Sequence, residues 1–170
     1  MSNPLVSIVM GSDSDLEIMR EAGKALEEFG IAFEMDVTSA HRSPDRTAEF
    51  ARKARERGIR VIIAGAGGAA HLAGVIAANT TLPVIGVPMG TSSLNGMDAL
   101  LSTVQMPGGI PVATMAIDKA GAVNSAIFAA EILGLSDPAI AQKLVEHKAD
   151  LARAVDEKNA RLQDQLAAKK

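Results

Sequence analysis

The side chains best suited to chemistry fall in three short segments. They are Gly11-Ser12-Asp13-Ser14-Asp15, Ser39-Ala40-His41-Arg42-Ser43-Pro44-Asp45 and Gly65-Ala66-Gly67-Gly68-Ala69-Ala70-His71. Imidazole exchanges protons near neutral pH, so His41 and His71 are candidate acids or bases. The third histidine, His147, lies in a charged helical stretch and reads as a surface group. Arg42 offers a planar fork of donors, and Ser12 and Ser39 offer hydroxyls. With the free N–H groups of helix starts, these suit a phosphate monoester. Asp15 suits the hydroxyls of a ribose. The small residues Gly67 and Gly68 let the backbone approach a ligand. The residues alone therefore point to an enzyme acting on a phosphorylated small molecule by proton transfer, and they leave the reaction open.

Other chemistries lack their residues. There is no cysteine, which removes disulfides, thiolate zinc sites, iron–sulfur clusters and cysteine nucleophiles. No His-x3-His or His-Glu-x-x-His pair is present, and Asp13-x-Asp15 lacks the later ligands of a calcium loop. No Gly-x-Ser-x-Gly elbow and no Gly-x4-Gly-Lys loop occurs. Gly65-x-Gly67-x-x-Ala70 is a partial dinucleotide fingerprint, but it is the third strand–helix turn, and no acid follows about 20 residues on. No metal and no cofactor is expected.

All three segments need rigid elements behind them. Leu5–Met10 is a short apolar run that reads as a strand buried on both faces. Ser14 and Glu17 form a capping-box pattern for the helix that follows, closed by Gly30. Ile31–Thr38 alternates as a second strand. Ser43-Pro44-Asp45 reads as an N-cap and first turn, with the helix ending near Gly58. Arg60–Ala64 is the third strand, Gly65–Gly68 its loop and Ala69–Asn79 its helix. Pro83–Val87 and Val112–Ile117 are the fourth and fifth strands, with a helix over Leu94–Val104 between them. Helices over Ala120–Leu133 and Pro138–Ala168 complete the chain. Alternating strands and helices with near-continuous apolar strands predict an α/β fold. It has three αβα layers around a parallel, flavodoxin-like sheet of about five strands. Each chemistry-bearing segment follows a strand, so all converge on the carboxyl edge of the sheet.

The chain has 170 residues and a net charge of −3, and 48% of its residues are hydrophobic. One α/β domain over residues 1–170 is expected. The acidic balance and the 2% aromatic content disfavour nucleic-acid binding. The apolar stretch 61–78 contains four glycines and His71, and it reads as strand, loop and helix rather than a membrane span. No signal peptide is apparent, and a cytoplasmic location is expected. Apolar residues in the last helix fall at Ile140, Leu144, Leu151, Val155, Leu162 and Leu166. About 30 residues span roughly 45 Å, longer than such a domain is wide. Residues 137–168 are therefore expected to pack in part on a neighbouring subunit.

Four stretches, Val9–Asp15, Ser39–Asp45, Ile62–Leu72 and Val104-Gln105-Met106-Pro107-Gly108-Gly109-Ile110-Pro111-Val112, resemble the PurE family of N5-carboxyaminoimidazole ribonucleotide mutases. The resemblance runs from about Val6 to Leu135. Arg42 and His71 resemble the bacterial-type branch, in contrast to the branch that carboxylates aminoimidazole ribonucleotide directly with CO2. The resemblance implies transfer of a carboxylate from N5 to C4 of the aminoimidazole, within de novo purine (IMP) biosynthesis. It implies His41 and His71 as catalytic residues, with His41 as the acid/base. Ser12, Asp15 and Arg42 would hold the nucleotide, and Ser39, Gly67, Gly68 and Leu72 would line the pocket. It further implies a cofactor-free homo-octamer. The remaining alternatives are the direct carboxylase and a non-catalytic nucleotide-binding module.

Overall fold

A computed structural model of the chain describes residues 3–168. Five strands form one parallel sheet: β1 (Val6–Met10), β2 (Phe33–Val37), β3 (Val61–Gly67), β4 (Val84–Met89) and β5 (Ala113–Thr114). Their order is β2-β1-β3-β4-β5, so the chain winds outward in both directions from β1 and β3. This is the flavodoxin-like order, in which ligands lie where the winding reverses, between β1 and β3. Six helices connect or follow the strands: α1 (Leu16–Glu28), α2 (Pro44–Lys53), α3 (Leu72–Ala77), α4 (Met97–Val104), α5 (Asp118–Gly134) and α6 (Pro138–Ala167).

Each central strand is buried on both faces, and its side chains divide between two apolar layers with a period of two. Val6, Ile8 and Met10 of β1 point toward α1 and α5, where they meet Met19, Leu26, Ala122 and Ala126. Val9 points the other way and joins Ile62, Ala64 and Val84 against Ala51, Leu72, Ala73 and Ile76 of α2 and α3. A fully buried side chain of this size contributes about 1.5–3 kcal/mol relative to exposure. Burial on both faces therefore fixes the register at which the strand ends meet.

The strand limits differ from the expected ones where glycine is involved. β3 runs on through Gly65-Ala66-Gly67, which read as a loop, because Gly65 pairs with Met10 and Val87 and Gly67 pairs with Met89. A Cβ at Gly65 would lie 2.6 Å from both Met19 Sδ and Met89 Cε, so side chains from two other elements fill the space. β4 likewise continues through Pro88 to Met89, beyond the point where β5 pairs, so the missing proline N–H interrupts no ladder on that side. β5 shrinks from six expected residues to two.

Two caps also move. After β1 the chain makes a 3-10 turn over Asp13–Asp15 before α1, and Ser12, not Ser14, caps it by accepting from the Ser14 amide at 3.3 Å. The expected capping box is absent, since Asp15 opens α1 without a side-chain cap. The Ser43 hydroxyl makes no bond into α2 and instead binds Ser39.

The sheet has two open edges. At one, Glu34 and Asp36 of β2 pair with Arg57 and Arg46 at 2.9 Å each. At the other, β5 offers two residues. The stretch 61–78 forms β3, a turn and α3, and among the described residues no helix is long and apolar enough to cross a membrane.

Candidate active site

Three strand ends build the site. Beyond β2, the Ser39 hydroxyl accepts from the Arg42 amide at 3.1 Å, and the Ser39 amide donates to the Ser43 hydroxyl at 3.1 Å. The Ser43 amide donates to the Ser39 carbonyl at 2.9 Å. These bonds curl Ser39–Ser43 into a tight turn that presents His41 and Arg42. The Arg42 guanidinium reaches across to the Gly11 carbonyl, past the end of β1, at 3.3 Å.

Beyond β3, α3 begins three residues later than expected, at Leu72. Gly68 (φ +62°) turns the chain in the left-handed region that glycine tolerates, and His71 stands immediately before the helix. The Ala70 amide donates to the Ser102 hydroxyl at 3.0 Å. That hydroxyl in turn donates to the Asp98 carbonyl at 2.8 Å. Ser102 of α4 therefore holds the segment leading to His71, a role that no motif in the sequence marks.

His41 and His71, 30 residues apart, meet edge to face, with ring centroids 4.9 Å apart and planes at 81°. His41 Nε2 lies 2.8 Å from His71 Nδ1. One of these nitrogens donates and the other accepts, so a single proton occupies the bond. His41 Nδ1 and His71 Nε2 are left outside it. Such a pair can pass charge from ring to ring without an intervening water.

The rings stand in a cleft of about 340 Å³. Ser12, Asp15, Ser39, His41, Arg42, Gly67, His71 and Leu72, singled out from the sequence, all line it. Gly68 does not; its carbonyl lies 3.5 Å from the Ser102 hydroxyl. Thr91, beyond β4, also lines the cleft. A Cβ on Gly67 would lie 2.6 Å from its hydroxyl, so Thr91 closes over Gly67 only because that residue is glycine. His147 is remote from the cleft, in the third turn of α6 and edge to face with Phe29 at the end of α1.

Asp15 is 4% exposed. Burial pushes its carboxyl above the usual carboxylate range, and the negative charges of Asp118 and Asp13 push it further. Hydrogen bonds from Ser14 and Ser12 oppose the rise. The cleft thus combines a proton-passing pair, one fixed cation and a buried acceptor. Among the described residues, no group of three or more His, Asp or Glu is placed to share a metal ion.

Residues 5–154 match the family model described as AIR carboxylase. The chain belongs to that family. Its relatives include the N5-carboxyaminoimidazole ribonucleotide mutase of Pyrococcus horikoshii, 59% identical over 95% of this chain and 90% of the relative. The protein of the same name from Bacillus subtilis is 57% identical over 94% of this chain and 98% of its own. A crystal structure of Treponema denticola PurE superposes with a TM-score of 0.84 at 28% identity, covering 94% of this chain and 98% of that one. The family that the four segments resemble and the fold predicted from the alternation of strands and helices are therefore both observed.

Proposed function

We propose that the chain is an N5-carboxyaminoimidazole ribonucleotide mutase that moves the substrate carboxylate from N5 to C4. The observation that carries this reading is the bond between His41 and His71 inside the cleft, 2.8 Å between ring nitrogens. The names of relatives 57–59% identical support it.

In this reading Arg42 and the hydroxyls of Ser12 and Ser39 hold the phosphate end, and Asp15 accepts from the ribose hydroxyls. His41 as imidazolium gives its proton to N5. The N5–carboxylate bond breaks, its electron pair remains on N5, and CO2 is released next to aminoimidazole ribonucleotide. The electron pair of the enamine-like C4 then bonds to CO2. Neutral His41 removes the C4 proton, which restores ring aromaticity and the imidazolium. Protons and electrons balance over the cycle. His71 holds His41 in the required orientation and takes up its charge through the shared bond. Gly67, Ala66, Ala69 and Leu72 give CO2 a small, weakly polar wall. Retention of both fragments replaces a bimolecular encounter with an effectively unimolecular one.

His41→Asn is expected to keep the fold and lower mutase turnover by at least roughly 10²–10⁴-fold. Turnover of the carbamate substrate is the measurement, and a near-normal rate would remove His41 from the proton steps. The family description favours one second reading, direct carboxylation of aminoimidazole ribonucleotide. Labelled bicarbonate distinguishes the two, because the mutase makes product from the carbamate faster than label enters it.

A further inference from the structure

Asp118, the first residue of α5, carries a feature that the proposed chemistry leaves unused. Its φ is +58°, and among the described residues only Asn95 shares a positive φ without being glycine. An L residue in this region is strained, though aspartate tolerates it better than most. Strain at a single position directs attention to what the side chain gains there. The Asp118 carboxylate accepts from the Gly90 amide at 2.7 Å. It is seated directly on Gly90, since a Cβ there would lie 2.5 Å from Asp118 Oδ2. Ile117 packs beside it, where a Cβ on Gly96 would lie 2.8 Å from Ile117 Cγ2 and 3.1 Å from Gly90 Cα. Lys119 ties the same end of α5 to Glu21 of α1 at 3.0 Å. The turn 90–96 is thus clasped at both ends by the start of α5. The residue after Gly90 is Thr91, whose hydroxyl covers Gly67 in the cleft wall.

We infer that Asp118 is a positioning residue of the cleft: by holding the Gly90 amide it fixes Thr91 over Gly67 and so sets the wall against which substrate binds. The link to substrate rests on the proposed mutase reading. Glycine at 118 separates positioning from simple structural tolerance, because it relieves the left-handed strain while deleting the clasp. Asparagine keeps both the left-handed conformation and the Oδ1 acceptor.

The test compares Asp118→Gly, Asp118→Asn and Gly90→Ala, each checked for folding by its melting temperature. In Asp118→Gly, amide hydrogen exchange across residues 89–94 is expected to rise about tenfold with the melting temperature kept. KM for the carbamate substrate is expected to rise about five- to tenfold with kcat little changed, since the contact acts on binding geometry. Asp118→Asn is expected to restore both, and Gly90→Ala, whose new methyl displaces the carboxylate, to reproduce the glycine variant. Unchanged exchange in Asp118→Gly overturns the inference, as does an unchanged KM against an active wild-type chain. If the wild-type chain does not turn over the carbamate, the mutase reading falls and exchange alone decides the role of Asp118.

Discussion

At the residue scale, Asp15 places binding and stability in opposition. Its carboxyl is buried, with Ser14 as a weak partner at 3.5 Å, and its pKa lies above the ordinary value. The native state therefore holds that proton more tightly than the unfolded chain does. Stability falls as pH rises from the unfolded carboxylate range through the native pKa, and above it the cost of a buried charge is fully present. Asp15→Asn removes the cost. The variant is expected to melt at a higher temperature than the wild-type chain at pH 7. The gain should shrink as pH is lowered toward 4, and substrate affinity should be lost. Thermal melts at several pH values check the sign, and equal gains at all pH values would contradict it. The candidate site was largely legible at this scale, since Ser12, Asp15, Ser39, His41, Arg42, Gly67, His71 and Leu72 belong to compact motifs. Thr91, Ser102 and Asp118 were not. Their roles arise from contacts 24 or more positions away in the chain, such as Asp118 with Gly90 and Ser102 with Ala70. Threonine, serine and aspartate in such places carry no local signature.

At the element scale, the alternation of strands and helices was legible because each β-branched run ends in a glycine or polar turn. The ends of elements were less so. Gly65 and Gly67 look like a loop in one dimension, whereas the pairing of β3 with β1 and β4 makes them strand. The two central glycines of the sheet differ in what surrounds them. A Cβ on Gly65 would meet Met89 at its terminal Cε and Met19 at Sδ and Cγ, both unbranched side chains that repack more readily than a β-branched one. A Cβ on Gly86 would meet Thr103 Cγ2 at 2.5 Å and Val112 Cγ1 at 3.0 Å. Thr103 is buried, stiff at χ1 and bonded to the Ala99 carbonyl at 2.7 Å. Gly86→Ala is therefore expected to cost about 1–3 kcal/mol by overpacking, and Gly65→Ala less. Denaturant midpoints of the two variants give the comparison, and a larger loss for Gly65→Ala would contradict it.

At the scale of the whole molecule, α6 is only partly accommodated. Ile140 is buried, Leu144 packs against the core, and Lys143 donates to the Phe29 carbonyl at 2.9 Å. Farther along, Leu151, Val155, Leu162 and Leu166 are each at least half exposed. Exposed apolar residues at heptad-like spacing on a helix of 30 residues support the proposal that its outer half packs on another copy of the chain in a homo-oligomer. Ending the chain after Asp156 is expected to yield smaller assemblies in analytical sedimentation. Assemblies of unchanged subunit number would refute that role for α6.

The borders of the sheet bear on how copies of this chain can meet. One flank carries carboxylates clamped by arginines, and the opposite flank is two residues long. Charge on one side and brevity on the other make both edges poor templates for a foreign strand. Growth by continuing the ladder from molecule to molecule, including the runaway kind that ends in fibres, is thereby disfavoured.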